Sequence, residues 1–151
     1  GQLYANGGRF GKDNGDYLEF TTDTRADLVI NSNNEFRFEA DGDFHADGDV
    51  IAFSTTIASD ERLKENIEVV PDALDKVEAL RGVTFDWKRD GKSSAGVIAQ
   101  EVMGVLPEAV KEVQGLNDNE SHLTVNYHAL TSILIESIKE LSARVKELEA
   151  K

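Results

Sequence analysis

The sequence predicts two parts of different fold class: an all-β fibrous segment over residues 1–58 and an α+β domain over residues 59–151 that ends in a long helix. Three observations lead to this division. Runs of alternating apolar residues fill the first part, a six-residue repeat closes it, and helical spacing of apolar residues dominates the end of the second. The charge balance also changes there, from 11 acidic and 4 basic side chains in the first part to 18 and 12 in the second.

The first part is predicted to form short strands separated by Asn, Asp and Gly turns. The alternating runs are "DYLEFTT", "ADLVINS" and "NEFRFEA". In the repeat that follows, Phe38, Phe44 and Val50 recur every six residues with "ADGD" between them. Such a period suggests stacked short strands, as in a β-solenoid or an intertwined trimeric stem. Each copy has too little apolar surface to fold alone, so we expect burial against neighbouring rungs or neighbouring chains.

The second part mixes predicted helices and strands. "PDALDKVEALRG" predicts a helix with Leu74, Val77 and Leu80 on one face, and "VTFDWK" predicts a strand. "AGVIAQEVMGVL" predicts a buried strand or a short helix, while "AVKEV" and "LTVNY" predict two strands joined by the polar loop "QGLNDNESH". The aromatic core candidates lie in or beside these strands: Phe85, Trp87 and Tyr127.

Residues 128–151 predict a long amphipathic helix of coiled-coil type. Its apolar residues are four, three, four and three positions apart: Leu134, Ile138, Leu141, Val145 and Leu148. With Ile138 and Val145 at heptad position a, the leucines fall at position d, a pattern that mildly favours dimers over the trimer considered below. So short a repeat is marginal alone, and we expect it to cap an assembly held together elsewhere. The alternative is an ordinary helix packed on its own domain.

Composition argues against several function classes. The net charge of −13 argues against a nucleic-acid partner, because phosphates would be repelled. No apolar run approaches the length of a membrane span, so no membrane insertion is expected. The absence of cysteine excludes thiol catalysis and cysteine-bound metal. Because the chain starts at Gly1 without an initiator Met, we expect it to be a piece of a longer protein.

Neither a metal nor a cofactor is expected. The pairs Asp41/Asp43 and Asp47/Asp49 lack the spacing of known calcium loops, and tight turns explain them better, with Gly42 and Gly48 as turn residues. No phosphate loop or dinucleotide fingerprint is present. The three histidines share no metal-ligand spacing: His45, His122 and His128.

One candidate for catalysis stands where the two parts meet, in "TTIASDERLKENIEVV". Ser59 is followed five residues later by Lys64, and a neutral lysine amine can activate a serine hydroxyl. A bend after Ser59 would bring the two groups together. On spacing alone the structural interpretation is favoured, with Ser59 as a helix N-cap and Lys64 as a solvated side chain.

The residues "SDERLKENI" closely resemble the start of the intramolecular chaperone domain found at the C-terminus of phage tail spikes and tail fibres. This family is known from endosialidases and is also classed as a self-cleaving serine peptidase family. The similarity continues through "ALDKVEALRGVTFDWK", "AGVIAQEV…LPEAV" and "VNYHALTSILIESIKEL", and covers about residues 59–151. "DGDVIAFSTT" resembles the stem end that leads into such a domain. Within the family, L-shaped side tail fibres of siphophages are the expected relatives.

The resemblance implies an intertwined homotrimer in which this domain nucleates folding of the β-rich stem and then cuts itself off once. Ser59 and Lys64 match the family's catalytic serine and lysine, and the implied cleavage lies at Ser59–Asp60. A serine attacking its own carbonyl would form a strained four-membered ring. Attack by the serine of a neighbouring chain would avoid this ring. Cleavage at Ala58–Ser59 through an N-to-O acyl shift is the alternative.

The resemblance also implies partners and a location. The client is the chain's own stem, in a virion tail fibre assembled in the host cytoplasm, and the chaperone part is released after cleavage. A host surface receptor contacted through the mature fibre is a further candidate partner. Two other functions stay open: a structural fibre tip that binds a host surface without cutting, and the eukaryotic use of this domain to release a membrane-anchored transcription factor. The fibre-like repeats and the missing basic region argue against the second.

Overall fold

The computed structural model describes residues 8–22, 24–117 and 120–151. The chain divides into two units. The first unit comprises Gly1–Ala58 together with Gln114–Ser121, and the second comprises Ser59–Val113 together with His122–Lys151. Residues 114–121 therefore join the first unit although they lie within the predicted second part.

The first unit contains a five-stranded antiparallel sheet in which consecutive strands are neighbours. The strands are β1 (Arg9–Gly11), β2 (Tyr17–Thr22), β3 (Arg25–Ile30), β4 (Asn33–Glu39) and β5 (Phe44–Ala46). The three alternating runs of the sequence form β2, β3 and β4, as predicted. The tight turn between β3 and β4 is made by Asn31 and Ser32, both with the positive φ that a two-residue hairpin turn requires.

A buried ion pair joins β3 and β4, two inner strands of this sheet. Arg37 Nε donates to Asp27 Oδ1 at 2.7 Å, and the two residues are opposite each other on β3 and β4. Arg25 Nε lies 3.0 Å from Asp27 Oδ2. Asp27 and Arg37 are both buried. Since a one-residue slip would move one of the two side chains to the opposite face and leave the other charge without its partner, the pair opposes a change of strand register.

The six-residue repeat forms a hairpin and an extended segment rather than three stacked rungs. Phe38 and Phe44 lie opposite each other on β4 and β5, with ring centroids 5.0 Å apart. Val50 lies in residues 47–60, which contain neither helix nor strand. The expectation of stacked rungs within this chain is therefore wrong. A strand needs a neighbouring strand for its backbone groups, and β5 is the edge strand of the described sheet.

The turn interpretation of the first Asp-Gly-Asp pair is confirmed. Gly42 has a φ of 94°, a conformation that favours glycine, and the Asp43 amide donates to Asp41 Oδ1 at 3.0 Å. Gly48 lies in a bend at the start of the extended segment.

The second unit combines two-stranded sheets with helices, so it has the predicted α+β composition. Its elements in chain order are α1 (Ala73–Glu78), β6 (Val83–Asp86), β7 (Ser93–Gly96), α2 (Ala99–Val105), β8 (Val110–Gln114), β9 (Ser121–Val125) and α3 (Leu130–Glu149). Strand β6 pairs with β7, and β8 pairs with β9. The run "AGVIAQEVMGVL" holds the end of a strand followed by a short helix, so both predicted alternatives occur in succession.

The core of the second unit is centred on Val102 of α2 and Ile133 of α3, which are almost completely buried. Of the three residues of the predicted helix face, Val77 and Leu80 pack against this core, although Leu80 follows the end of α1, and Leu74 is not part of the cluster. The prediction of Trp87 and Tyr127 as core residues is wrong, because they are 53% and 54% exposed.

Local contacts explain why these two rings stay outside the core. Trp87 follows the last residue of β6 and packs edge-on against Phe85, with ring centroids 5.1 Å apart. The Tyr127 hydroxyl accepts a hydrogen bond from the Val97 amide at 3.2 Å. A Cβ at Gly96 would lie 2.2 Å from that hydroxyl oxygen, so glycine leaves the space that the tyrosine occupies.

Helix α1 is capped by a side chain from α3. It begins at Ala73 rather than at Pro71, because Asp72 before it has a left-handed backbone conformation. The Ala73 amide donates to Glu140 Oε1 at 2.8 Å and the Leu74 amide to Oε2 at 3.1 Å. These amides have no partner within their own helix, so the carboxylate of Glu140 satisfies them and connects the two helices.

Helix α3 has one buried face and one exposed apolar face. Leu130, Ile133 and Ser137 are buried. The residues with coiled-coil spacing are between 44% and 69% exposed: Leu134, Ile138, Leu141, Val145 and Leu148. We call these five residues the α3 seam. Packing on its own domain therefore accounts for the other face of the helix and leaves the α3 seam uncovered in a single chain.

Among the residues that the structure describes, no helix is long and apolar enough to cross a bilayer.

We expect Arg37→Met to destabilise the sheet of the first unit by on the order of 3 kcal/mol, because Asp27 would stay buried with Arg25 alone. Native-state hydrogen exchange of the β3 and β4 amides measures this free energy locally. The control is Arg9→Gln, which removes the exposed Arg9–Glu19 pair on the same sheet and should cost less than about 1 kcal/mol. Equal losses in the two variants would contradict the importance assigned to burial.

We expect Glu140→Ala to lower the free energy of unfolding of the second unit by about 1 kcal/mol, because two α1 amides lose their acceptor. Glu136→Ala is the matched control. It makes the same substitution on the same helix, so helix propensity cancels, and it removes only the pair with Lys139. Urea unfolding of both variants gives the difference. A loss no larger than that of the control would show that the cap is not stabilising.

Candidate functional site

The two bonds predicted as cleavage positions lie in extended, exposed backbone. Ala58, Ser59 and Asp60 are all exposed, and no helix or strand includes them. Upstream of them the segment is apolar as well as exposed, with Ile51 at 92% and Phe53 fully exposed. Both bonds are therefore accessible to a catalytic group in a single chain.

A single 3-10 turn follows these bonds. It spans Glu61–Leu63 and is capped by Asp60, whose Oδ1 accepts from the Arg62 amide at 2.9 Å. The Lys64 amide donates to the Glu61 carbonyl at 3.0 Å, and the chain returns to extended backbone at Lys64. The N-cap is thus Asp60 and not Ser59, so the structural role considered for Ser59 in the sequence is wrong.

The turn brings Ser59 and Lys64 together. Lys64 Nζ donates to Ser59 Oγ at 2.7 Å, and both side chains are exposed. The extended residues on either side of the turn allow the lysine side chain to reach back over five residues to the serine. After losing a proton, the same nitrogen could accept the hydroxyl hydrogen, which is the contact that a serine nucleophile needs.

A second polar contact lies in the same turn. The Arg62 guanidinium contacts Asp60 through Nε to Oδ1 at 3.0 Å and through Nη2 to Oδ2 at 2.7 Å. Hydrogen bonds from the Arg62 side chain, and next from its amide, hold the pKa of Asp60 below its ordinary value, and the positive charge of Lys64 adds to this. In turn, the Asp60 carboxylate raises the pKa of Arg62.

Sequence reasoning missed the pair of Asp60 and Arg62. The available signal was an acidic residue at a turn start with an arginine two positions later. That signal is weak, because exposed ion pairs usually contribute little and nothing in the spacing connects this one to the serine and lysine.

The histidines lie on separate elements. His45 is on β5, with Nε2 3.6 Å from Glu39 Oε2, His122 is on β9, and His128 precedes α3. Within the described ranges, no three His, Asp or Glu side chains are grouped in a way that could hold a metal ion.

Comparison with known proteins identifies relatives of this sequence. Residues 59–111, which include the serine, the turn and the lysine, match the sequence model of the family described as chaperone of endosialidase. The match covers the start of the second unit and indicates a chaperone role for that part of the chain.

The long tail fiber protein Gp37 of Enterobacteria phage T2 is 42% identical over 145 residues, which are 93% of this chain and 10% of the phage protein. Its counterpart from Enterobacteria phage K3 is 41% identical over 145 residues, 93% of this chain and 11% of that protein. Gp37 of Enterobacteria phage Ox2 is 36% identical over 121 residues, 76% of this chain and 47% of that protein. This chain therefore spans only about a tenth of the length of its T2 and K3 relatives.

These comparisons confirm the resemblance predicted from the sequence. The chain is related to the C-terminal chaperone domain of phage tail fibres, and the similarity to the T2 and K3 proteins extends over both units. The narrower expectation of a siphophage side tail fibre stays a prediction, because these relatives are long tail fibre proteins.

Proposed function

We propose that this chain, related through its second part to the chaperone of endosialidase family, is the end of a phage tail fibre that carries its own trimerisation and folding chaperone. We further propose that the chaperone removes itself by one cut beside Ser59. The observation that carries the cleavage proposal is the 2.7 Å hydrogen bond between Lys64 Nζ and Ser59 Oγ, at the start of the segment that matches the family.

The chemistry begins when Lys64 loses its ammonium proton to solvent. The neutral amine takes the hydroxyl proton of Ser59 as Oγ forms a bond to a peptide carbonyl carbon. When the C–N bond breaks, the leaving nitrogen receives that proton from Lys64, and the acyl group remains on Oγ as an ester. Water then hydrolyses the ester and regenerates the serine hydroxyl. No external cofactor is needed, and each chain is cut once.

The identity of the broken bond depends on which carbonyl is attacked. Attack on the Ala58 carbonyl by the same chain's Ser59 passes through a five-membered ring and cuts Ala58–Ser59. The Ser59–Asp60 bond, which the family position favours, requires a different geometry, because Ser59 cannot reach its own carbonyl without a strained four-membered ring. A serine from a neighbouring chain of the trimer would supply that geometry. We favour Ser59–Asp60 and keep Ala58–Ser59 as the alternative.

The uncovered apolar surfaces support the chaperone part of the proposal. The α3 seam is exposed in a single chain, as are Phe38, Ile51 and Phe53 of the first unit. In a homotrimer the three seams would pack against one another, and the stem segments would find the neighbouring strands that one chain lacks. The partner that fits both surfaces is therefore another copy of this chain.

A domain that trimerises before its stem folds would solve a kinetic problem. Pairing strands from three chains is slow, and the strands slip register easily. Holding three chain ends together raises their local concentration and lowers the entropy lost on pairing. Cleavage afterwards would remove the folding catalyst and leave the fibre kinetically trapped.

The same proposal fixes client and location. The client is the stem that precedes Ser59, the mature product is part of the virion tail fibre, and the chaperone part is released after the cut. The phage fibre relatives support this setting. A host surface receptor would be contacted by the mature fibre.

We expect freshly expressed full chain to yield two fragments by intact mass under denaturing conditions, while Ser59→Ala and Lys64→Ala remain full length. The loss of cleavage should be complete within detection, because either change removes the nucleophile or its base. The masses also identify the bond, since the first fragment ends at Ser59 or at Ala58. Ser54→Ala, on the same exposed segment, is the matched control and should be cut like wild type.

A single full-length mass for all variants, from material shown to be trimeric, would eliminate the protease activity. The chain would then be a trimerising structural fibre tip, the alternative function. Cleavage of Lys64→Ala at the wild-type rate would instead exclude Lys64 as the base.

We expect the double variant Ile138→Lys with Leu141→Lys to weaken trimer formation and to raise its dissociation constant at least about tenfold. The reason is that two charges would enter each copy of the packed seam. Ala143→Lys adds a lysine on an exposed position of the same helix outside the seam and is the control. Analytical ultracentrifugation over a concentration series measures the effect. Unchanged assembly of the double variant would assign trimerisation to another surface.

A further inference from the structure

The serine–lysine contact depends on a turn that two further charged residues hold in place. The Asp60 side chain accepts a hydrogen bond from the Arg62 amide at 2.9 Å. Its backbone carbonyl accepts one from the Leu63 amide at 3.1 Å. The guanidinium of Arg62 donates hydrogen bonds to both oxygens of the same carboxylate, at 3.0 and 2.7 Å. The Asp60 carboxylate thus caps the turn and also forms an ion pair with Arg62. This turn is the segment that connects Ser59 to Lys64.

The Asp60 carboxylate also interacts with Lys64, because the positive charge of the lysine helps to hold the pKa of this carboxyl below its ordinary value. An anion beside an amine favours the ammonium form, which cannot accept the proton of Ser59. Arg62 counters this effect by placing a cation against the anion through two hydrogen bonds, the strongest form of such a pair. Residues 59–69 are all exposed, and the charged residues of this stretch besides Lys64 are Asp60, Glu61, Arg62, Glu65 and Glu68.

We propose that Asp60 and Arg62 are positioning residues of the cleavage reaction. Asp60 caps the turn that presents Lys64 to Ser59, and Arg62 neutralises the Asp60 carboxylate so that Lys64 can release its proton. This inference rests on the proposed self-cleavage and deepens it, because it assigns the protonation state of the base to a neighbouring ion pair. Asp60 contributes its backbone nitrogen to the favoured scissile bond, but the side chains of Asp60 and Arg62 act in this role only through the turn and through Lys64.

The first test does not depend on cleavage. In the uncut Ser59→Ala chain, the ¹³C resonance of the Asp60 carboxyl is followed by NMR as pH is lowered. We expect Asp60 to titrate below its ordinary pKa of 3.8, and Arg62→Gln in the same background to return the titration toward that value. Since the pKa is lowered in the folded chain, the pair is complete above pH 3.8 and is lost as pH falls below it. Asp60 is therefore ionised throughout the cleavage assay.

The second test is the pH dependence of the cleavage rate of the full chain, from about pH 6 to about pH 10. Arg62→Gln leaves Asp60 unneutralised, so the rate profile should move to higher pH. Below the plateau, such a shift makes cleavage roughly three- to tenfold slower. Asp60→Asn keeps a capping oxygen but removes the anion, so the profile should move in the opposite direction.

Two further variants separate charge from structure. Arg62→Lys keeps the positive charge but cannot form the paired hydrogen bonds of the guanidinium, and its rate profile should lie close to that of wild type. The control is Arg81→Gln, which removes a comparable pair between an arginine and Glu101 outside the turn, and its profile should be unchanged. Trimer content is measured for each variant, so that a folding defect is recognised as one.

The outcomes distinguish this inference from the proposed function. If wild type is not cut, self-cleavage fails, and the NMR titration alone decides whether the ion pair exists. If wild type is cut but Arg62→Gln and Asp60→Asn shift the profile in the same direction, or lower the rate equally at every pH, the electrostatic role of Arg62 is overturned. An ordinary titration of Asp60 in the Ser59→Ala chain overturns the pair itself.

Discussion

The constraint on which the rest of the molecule depends is how little apolar surface a single chain buries. Within the described residues the fully buried apolar side chains are few and small, with Ile133 and Val102 the largest of them. By contrast, long stretches of apolar surface remain in water, including the α3 seam and the segment around Phe53. The conformational entropy lost when a chain of this length is ordered costs far more free energy than the burial of such a core contributes. In the proposed homotrimer the missing burial would come from other copies, and the exposed helix face would be a consequence of that requirement.

The candidate site, by contrast, does not depend on the burial of apolar surface. Its geometry comes from hydrogen bonds within six consecutive residues, from Ser59 to Lys64, and uses no packing against the core. A local turn of this kind forms quickly and independently of assembly. What a single chain does not supply is a dry environment, because every residue of the turn is exposed. The turn therefore sets the positions of Ser59 and Lys64 within one chain. Under the proposed assembly, association of chains would then provide a dry environment around them.

This difference also explains how much the sequence could predict. Alternating runs predicted β2, β3 and β4, and helical spacing predicted α3, because periodicity reports which face of an element is buried. Trp87 and Tyr127 were assigned to the core wrongly, because periodicity cannot tell whether a ring at a strand end packs inward. The repeat ending at Val50 does not form stacked rungs, since residues 47–60 contain no strand with which another rung could pair. At the site, the motif identified Ser59 and Lys64, but the pairing of Asp60 with Arg62 depends on turn geometry that spacing does not reveal.

A preformed but solvated dyad gives the proposed self-cleavage a natural order of events. In a separate chain, water surrounds both the lysine ammonium and the peptide bond, so charge separation in the transition state gains little from the protein. If chains associate over the turn as proposed, water would be excluded from it, and every fixed charge in the turn would act more strongly. The neutralising contact of Arg62 matters most at that stage, because an unneutralised Asp60 carboxylate would then hold the proton on Lys64 more firmly. Cutting before assembly would separate the chaperone from its stem. A site whose geometry is local and whose reactivity depends on burial avoids that outcome without any further regulator.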